Sequence, residues 1–469
     1  MLVLGAGGDL AARLLLPGLA GLLHLEKLPE GFTLVGVDRP DWDDATFKKH
    51  VFDSVTAHGE DGAKLAASEL ADACSFVHGD AGDPAAISAA LATGDGPAVI
   101  YLALPPPVFA AAIKAIAAAG LPDDSAIVIE KPFGHDLKSA QELNALLATA
   151  APEHAIHRID HFLEKQTVQN VIGMRFANRI FEPLWNHHHI ERVEIVWDED
   201  LALEGRAGYY DNAGALRDMI QNHLLQVLAL VAMERPRSLS EKDLRDCKYE
   251  VLEAVRTPTP DKIATETIHA RYTAGTSVNG PVPDYVDEPG IDASKGTETF
   301  AAVTLHIDVP RWQGVPFILR TGKALEGLRQ HVAIRFKAAP YVTFGQHRSP
   351  RSNILLLGLS PDRVELYIDV NGEGELFDLE PAKLVCTLAT QDVTPYGRVI
   401  LDVLHGDPTL SIRGDEAEEC WRIVEPILAS WQQGVPPLAE YPAGSNGPPE
   451  DEWSEAVVPP EAPPEATRA

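Results

Sequence analysis

Over residues 1 to 157, short apolar runs alternate with stretches of helical period. "MLVLGA", "FTLVGVD", "AVIYLALPP" and "AIVIEKPFG" are short enough, and rich enough in β-branched residues, to be buried strands. "LLLPGLAGLLHL" and "VFAAAIKAIAAAG" lie between them and read as helices. Strand and helix in alternation predict a parallel sheet with crossover helices, an α/β Rossmann-like N-terminal domain. From residue 158 the pattern changes. Two helical segments, 161–175 and 212–233, are followed by strand-like runs such as "TFAAVTLHIDV", "HVAIRFKA", "RVELYIDV" and "KLVCTLA" with no helices between them. This order predicts an α+β C-terminal domain on a large, mainly antiparallel sheet. "EAEECWRIVEPILASWQQ" reads as a late helix. After Tyr441 the chain is rich in proline and acid and too poor in apolar residues to offset its ordering entropy, so 442–469 is expected to be a disordered tail. The expected division is therefore 1–157, 158–441 and 442–469, with the active site between the first two.

Composition agrees with a globular chain of two domains: 469 residues, 45% hydrophobic and 23% charged. The net charge of −30 argues against nucleic acid or an anionic membrane as partner. An anionic substrate would have to be met by locally clustered cations. One such cluster is "HRIDHFLEKQTVQN", residues 157 to 170, where two histidines, an arginine and a lysine surround Asp160. Cys74, Cys247, Cys386 and Cys420 are too scattered for a zinc site or a disulfide framework and read as reduced, mostly buried thiols. The first residues lack the pattern of a secretory signal and no apolar run reaches the roughly 20 residues of a membrane span, so a cytoplasmic location is expected.

Three places offer chemistry. "LVLGAGGDLAARLLLPGL" puts Gly5, Gly7 and Gly8 between a strand and a helix, where bare backbone lets a pyrophosphate reach the helix N-terminus. The usual spacing asks for a glycine at position 10, which is Leu10, and taken alone the glycines also fit an ordinary tight turn. At the end of the second strand Asp38 suits the ribose of NAD, whereas Arg39 suits the extra phosphate of NADP, and the two also fit a plain surface ion pair at a strand end. In "RDMIQNHLLQVLALVAM" His223 shares a helical face with Met219 and Val227. It is either a core histidine or, with Asp160 to orient it, a base able to take a proton from a sugar hydroxyl as hydride departs. The run His187 to His189 cannot converge on one ion from a helix or strand and reads as a loop, and the chemistry needs no metal.

"GAGGDLAARLLLPGL", "EKPFG", "RIDHFLEK", "EGRAGYYDNAGALRDMIQNHLLQ", "RWQGVPFILRTGKAL" and "PYGRVILDVLHGD" occur in this order and together resemble the glucose-6-phosphate dehydrogenase family, from the first strand to about Ala443. The resemblance implies oxidation of glucose 6-phosphate to 6-phosphogluconolactone with NADP, the entry to the oxidative pentose phosphate route, by a homodimer paired through the large sheet. It implies His223 as general base with Asp160 as its carboxylate partner. It gives His161 and Lys165, one face of a helix by their spacing of four, the sugar phosphate. It gives Lys131, next to a Pro132 bond expected to be cis, both substrate and cofactor. Glu199 and Asp218 would contact sugar hydroxyls and Lys323 would be a substrate-side lysine. Gly5, Gly8, Asp9, Leu10 and Arg39 would form the cofactor turn and the 2′-phosphate contact. The chain departs from the family in Phe162, where a tyrosine is usual, in Leu328, where a cation is common, and in Asp38, whose charge would repel a 2′-phosphate. These departures motivate two alternatives: an NAD-preferring dehydrogenase of another sugar, and, from another class, a nicotinamide-binding regulatory protein without turnover.

Overall fold

The computed structural model describes residues 1–94, 96–203, 205, 207–339, 351–373, 379–389 and 391–448. The expected tail therefore lies, from residue 449 on, outside the described residues. The chain forms two compact units. The first is Met1–Lys165 together with Pro236–Asp246 and a later stretch ending at Glu418. The second comprises Gln166–Arg235, Cys247–Ala389 and the chain after Glu418. The units are thus not the contiguous blocks expected: the break falls after Lys165, and the first unit takes up two distant stretches, one whose helix Pro395–Leu404 packs on its core and one whose Asp246 pairs with Arg413 at 2.6 Å.

The first unit holds a sheet of β1 (Leu2–Leu4), β2 (Leu34–Asp38), β3 (Cys74–His78), β4 (Val99–Leu102), β5 (Ala126–Glu130) and β6 (Ile156–Ile159), in the order β3-β2-β1-β4-β5-β6. Every neighbouring pair is parallel. Helical crossovers impose this, and they leave the strand order reversing between β1 and β4, a place where such sheets open a crevice for ligands. The helix Leu16–His24, the helix Asp44–His58 and the late helix Pro395–Leu404 bury Leu19, Phe47, Val51 and Ile400 on one face. Each such side chain contributes about 2 kcal/mol. Side-chain caps set where the helices begin: Asp43 accepts the Thr46 N–H at 2.8 Å, and Asp136 with Ser139 makes a capping box at the helix Leu137–Leu147.

In the second unit β7 (Ile190–Asp198), β8 (Thr267–Thr273), β11 (Phe300–Leu305), β12 (Phe317–Gly322), β13 (Arg329–Phe336), β14 (Ile354–Leu359), β15 (Asp362–Asn371), β16 (Leu379–Thr387) and β17 (Ala439–Pro442) form one sheet. A hairpin of β9 (Gly275–Ser277) and β10 (Gly280–Val282) stands apart from it. The order is β16-β15-β14-β13-β7-β12-β11-β8-β17. β7–β12 and β8–β17 are parallel and the other neighbours antiparallel, in keeping with the mainly antiparallel sheet expected. The ordered chain also runs beyond the expected limit at Tyr441: β17 includes Pro442, Ala443 is buried, and Ser445 pairs with Leu325.

Two helical expectations are corrected. The first helix begins only at Gln166 and runs to Ala177, leaving 161–165 in turns. The expected helix 212–233 is three pieces. The helix Ala207–Ala215 breaks at Gly214 (φ 71°, ψ 170°), a π-helix spans Leu216–Leu224, and the helix Leu225–Ala232 follows, buried on all sides. Periodicity cannot distinguish a π turn from an α turn over nine residues. Among the described residues no helix is long and apolar enough to cross a membrane. The four cysteines are thiols outside any disulfide; Cys74 and Cys420 are buried, Cys247 half-buried, and Cys386 exposed on β16.

Candidate active site

In the first unit the candidate residues collect at the carboxyl ends of the strands. β1 runs into Gly5, whose φ of +83° suits glycine and whose missing Cβ would otherwise lie 2.5 Å from the Ala103 carbonyl oxygen. The turn closes with the Gly8 N–H donating to Gly5 O at 3.0 Å, and the helix starts at Asp9, which is exposed and bridges Arg13 at 3.7 Å. Leu10 packs partly buried against the core, at the start of a π turn over Ala11–Leu15. The bare backbone is therefore a fit for a pyrophosphate at Gly5 and Gly8. At the end of β2 the Asp38 carboxylate is committed: Oδ2 accepts the Gly7 N–H at 2.9 Å and Oδ1 the Arg39 N–H at 2.7 Å. Arg39 itself is exposed.

At the end of β5, Glu130 is buried and its Oε1 accepts the Tyr101 hydroxyl at 2.5 Å, with Tyr396 as a second partner. Burial pushes this carboxyl up to about 6, against the pull of both tyrosines and of Lys131. The Lys131–Pro132 bond is cis, as expected. At the end of β6, Asp160 is 3% exposed and its Oδ1 accepts the Phe162 N–H at 2.9 Å. That bond, with Leu163 N–H to Asp160 O at 3.0 Å and Lys165 N–H to Phe162 O at 3.1 Å, winds residues 160–165 into successive turns. His161 and Lys165 therefore do not share a helix face. They meet the same neighbour instead: the Phe162 ring is buried, with the His161 ring edge-on at 5.1 Å and Lys165 Nζ 5.5 Å from its centroid. The His161 ring also stacks on Tyr396 at 5.9 Å.

The other two cations of the "HRIDH" stretch are structural. Arg158 is fully buried, bonded to Glu153 at 2.6 Å and to Asn144 at 2.8 Å. His157 faces Ser411 at 3.1 Å, and burial, helped by Arg245, pushes its pKa down to about 4. No sequence signal singles out Glu164, whose carboxyl burial and the nearby Asp402 push up to about 8.

In the second unit His223 is 1% exposed on the π-helix Leu216–Leu224, its N–H donating to Asn222 Oδ1 at 2.5 Å. π turns recur at functional positions because they present side chains off the α-helical period. This one is anchored by a residue that no sequence motif marks. Glu298 is buried, its Oε1 accepts the Leu216 N–H at 3.0 Å and its carbonyl accepts the Ala215 N–H at 3.1 Å. A Cβ on Gly214 would meet that carboxylate at 2.5 Å. Burial pushes Glu298 up to about 7.

Lys323, one residue past β12, and Glu199, one past β7, are brought together as an ion pair, with Trp197 Nε1 donating to Glu199 Oε1 at 3.2 Å. The parallel pairing of β7 with β12 does this, because it ends both strands at the same level. Asp218 accepts from the Tyr209 hydroxyl at 3.3 Å. Arg329 does not replace the cation missing at the exposed Leu328, since it turns to the buried Asp198 at 2.9 Å. His187 to His189 lie in a turn before β7, closed by the His189 N–H donating to Asn186 O at 3.0 Å, while the His187 N–H donates to Arg311 O at 2.8 Å.

A parallel sheet in this order with a bare glycine turn after its first strand is the arrangement of a dinucleotide-binding unit. Comparison with known proteins makes the class particular. Residues 2–170 match "Glucose-6-phosphate dehydrogenase, NAD binding domain" and residues 172–455 match "Glucose-6-phosphate dehydrogenase, C-terminal domain". A glucose-6-phosphate 1-dehydrogenase of Treponema pallidum is 38% identical over 96% of this chain and 92% of its own. One from Gluconobacter oxydans is 37% identical over 97% of each. The crystal structure of glucose-6-phosphate 1-dehydrogenase from Mycobacterium avium superposes with a TM-score of 0.84 at 34% identity, over 95% of this chain and 94% of the other. A glucose-6-phosphate dehydrogenase in complex with glucose 6-phosphate gives 0.87 at 30% identity over the same shares. The chain belongs to the glucose-6-phosphate dehydrogenase family and is a nicotinamide-dependent dehydrogenase.

Proposed function

We propose that the chain oxidises glucose 6-phosphate at carbon 1 to 6-phosphogluconolactone, with NADP as hydride acceptor. The observation that carries this reading is His223, a histidine withheld from water on a π turn whose first N–H is anchored by Glu298. In this mechanism His223 takes the proton from the carbon 1 hydroxyl, and Asp160 orients the imidazole and stabilises its charged form. His161 and Lys165 bind the phosphate; Phe162, lacking a hydroxyl, supplies packing there and no hydrogen bond. Glu199 and Asp218 bind sugar hydroxyls, and Lys323 is a substrate-side lysine. Gly5, Gly8, Asp9 and Leu10 receive the pyrophosphate, and Lys131 serves both substrate and cofactor. Hydride leaves carbon 1 for the cofactor, which supplies the acceptor.

The choice of NADP rests on Arg39, an exposed guanidinium, beside an Asp38 whose carboxylate is already held by two backbone N–H groups. A homodimer through the large sheet is part of the proposal, and Val370, Leu384 and Val385, exposed apolar side chains on β15 and β16, support it. Sedimentation of the purified protein tests it, and a monomer at micromolar concentration rules it out. Initial rates with glucose 6-phosphate or glucose, each with NADP or NAD, test the activity. Turnover confined to glucose 6-phosphate with NADP supports the reading. A preference for NAD assigns the deciding role to Asp38, and no turnover in any mixture refutes the reading.

A further inference from the structure

Tyr441, on β17, is fully buried, and its hydroxyl is the centre of a short chain of hydrogen bonds. It donates to Lys323 O at 2.7 Å and lies 2.9 Å from Thr299 Oγ1. Thr299 Oγ1 already accepts the Tyr272 N–H at 2.9 Å. With the tyrosine proton given to Lys323, the threonine hydroxyl donates to Tyr441, so every proton in the chain has one direction.

The carbonyl at the end of this chain belongs to a peptide under constraint. The next residue, Ala324, has φ +51°, a left-handed conformation that a residue with a side chain holds only where its surroundings over-determine it. Its N–H donates to Leu201 O at 2.9 Å, and its carbonyl accepts the Gly444 N–H at 2.7 Å. Glu326 N–H donates to Ser445 O at 2.8 Å. Residues 441–445 thus form the outer wall of the turn that carries Lys323. That turn is also tied to Glu199, whose N–H donates to Gly322 O at 2.8 Å and whose carbonyl accepts the Leu325 N–H at 3.0 Å.

We propose that Tyr441 is a positioning residue for the Lys323–Glu199 pair, its hydroxyl fixing the Lys323 carbonyl and so the turn that aims the ammonium at the substrate. This rests on the reading above that Lys323 is a substrate-side lysine. The competing view makes Tyr441 a packing residue only, since its ring meets Phe300 at 5.9 Å and Tyr272 at 6.5 Å. Tyr441→Phe separates the two, because it keeps the ring and removes the hydroxyl.

In the positioning role, Tyr441→Phe raises KM for glucose 6-phosphate about tenfold and leaves KM for the nicotinamide cofactor within about twofold. Its effect on the sugar KM is less than additive with that of Lys323→Ala, because both act through one side chain. Thr299→Val removes the donor to Tyr441 and shifts the same constant in the same direction, whereas Thr299→Ser keeps the hydroxyl and behaves as the parent enzyme. These two variants decide the matter if Tyr441→Phe does not fold. An unchanged sugar KM in folded Tyr441→Phe, or in Thr299→Val where it stands in, overturns the proposal, as does full additivity with Lys323→Ala. If Lys323→Ala itself leaves the sugar KM unchanged, the failure lies in the assignment of Lys323 to substrate.

Discussion

The two units hold their candidate residues by different means. In the first, the glycine turn is made of backbone, with Gly5 at φ +83° and the Gly8 N–H closing it, and strand ends bring Asp38, Lys131 and Asp160 to one edge of a parallel sheet. In the second, the candidate residues are held by buried polar side chains far apart in sequence, such as Glu298 under the π-helix and Tyr441 behind Lys323. A backbone turn is most sensitive where it needs a residue without a side chain, as at Gly5. A network site is sensitive to each hydroxyl or carboxylate, because a buried group left without its partner costs its full desolvation.

The largest expected effect is at His223. His223→Asn should lower kcat about 10³- to 10⁴-fold with the fold and cofactor binding retained. Stopped rates with an unchanged melting temperature are the readout; a fall of less than tenfold would show that the second unit supplies no base.

Glu298 comes next. Its pKa in the folded chain is about 7, above the ordinary value of 4.5. Between those values the folded state holds a proton that the unfolded state has released, so this group's contribution to stability is full below about pH 4.5 and is lost as pH rises through 7. The loss amounts to about 3 kcal/mol by pH 8. Glu298→Gln keeps an oxygen for the Leu216 N–H and removes the titration. Chemical denaturation at pH 5 and pH 8 should show the variant gaining stability relative to the parent at the higher pH; equal pH slopes would deny Glu298 its raised pKa.

Gly5→Ala should cost about 2 kcal/mol, from the left-handed backbone and the clash with Ala103 O, and should raise the cofactor KM more than the sugar KM. Equal effects on both constants would mean that the turn is only a structural corner. The smallest expected change is in cofactor choice. Arg39→Ala should raise KM for NADP about tenfold and leave that for NAD nearly unchanged. If both move together, Arg39 does not read the 2′-phosphate.

Much of the first unit was legible in sequence, because alternating apolar runs dictate a parallel sheet and glycines mark where the chain needs open backbone. "RIDH" was legible as chemistry but misread in its geometry. Asp160 accepts the Phe162 N–H and holds the next residues in turns, so the four-residue spacing of His161 and Lys165 carries no helical meaning. The π turn at His223 was hidden because its apolar pattern matches an α-helix over so short a span.

The sequence by itself determined the two fold classes, the strand-and-helix order and the kinds of residue available for a hydride transfer, since all of these follow from local pattern and residue chemistry. Only the tertiary structure decided that 236–246 and the stretch ending at Glu418 join the first unit, that Arg158 and His157 are structural, and that Glu199 meets Lys323. The physical reason is the same in each case: burial and hydrogen-bond partnership depend on residues many positions away, and local periodicity carries no record of them.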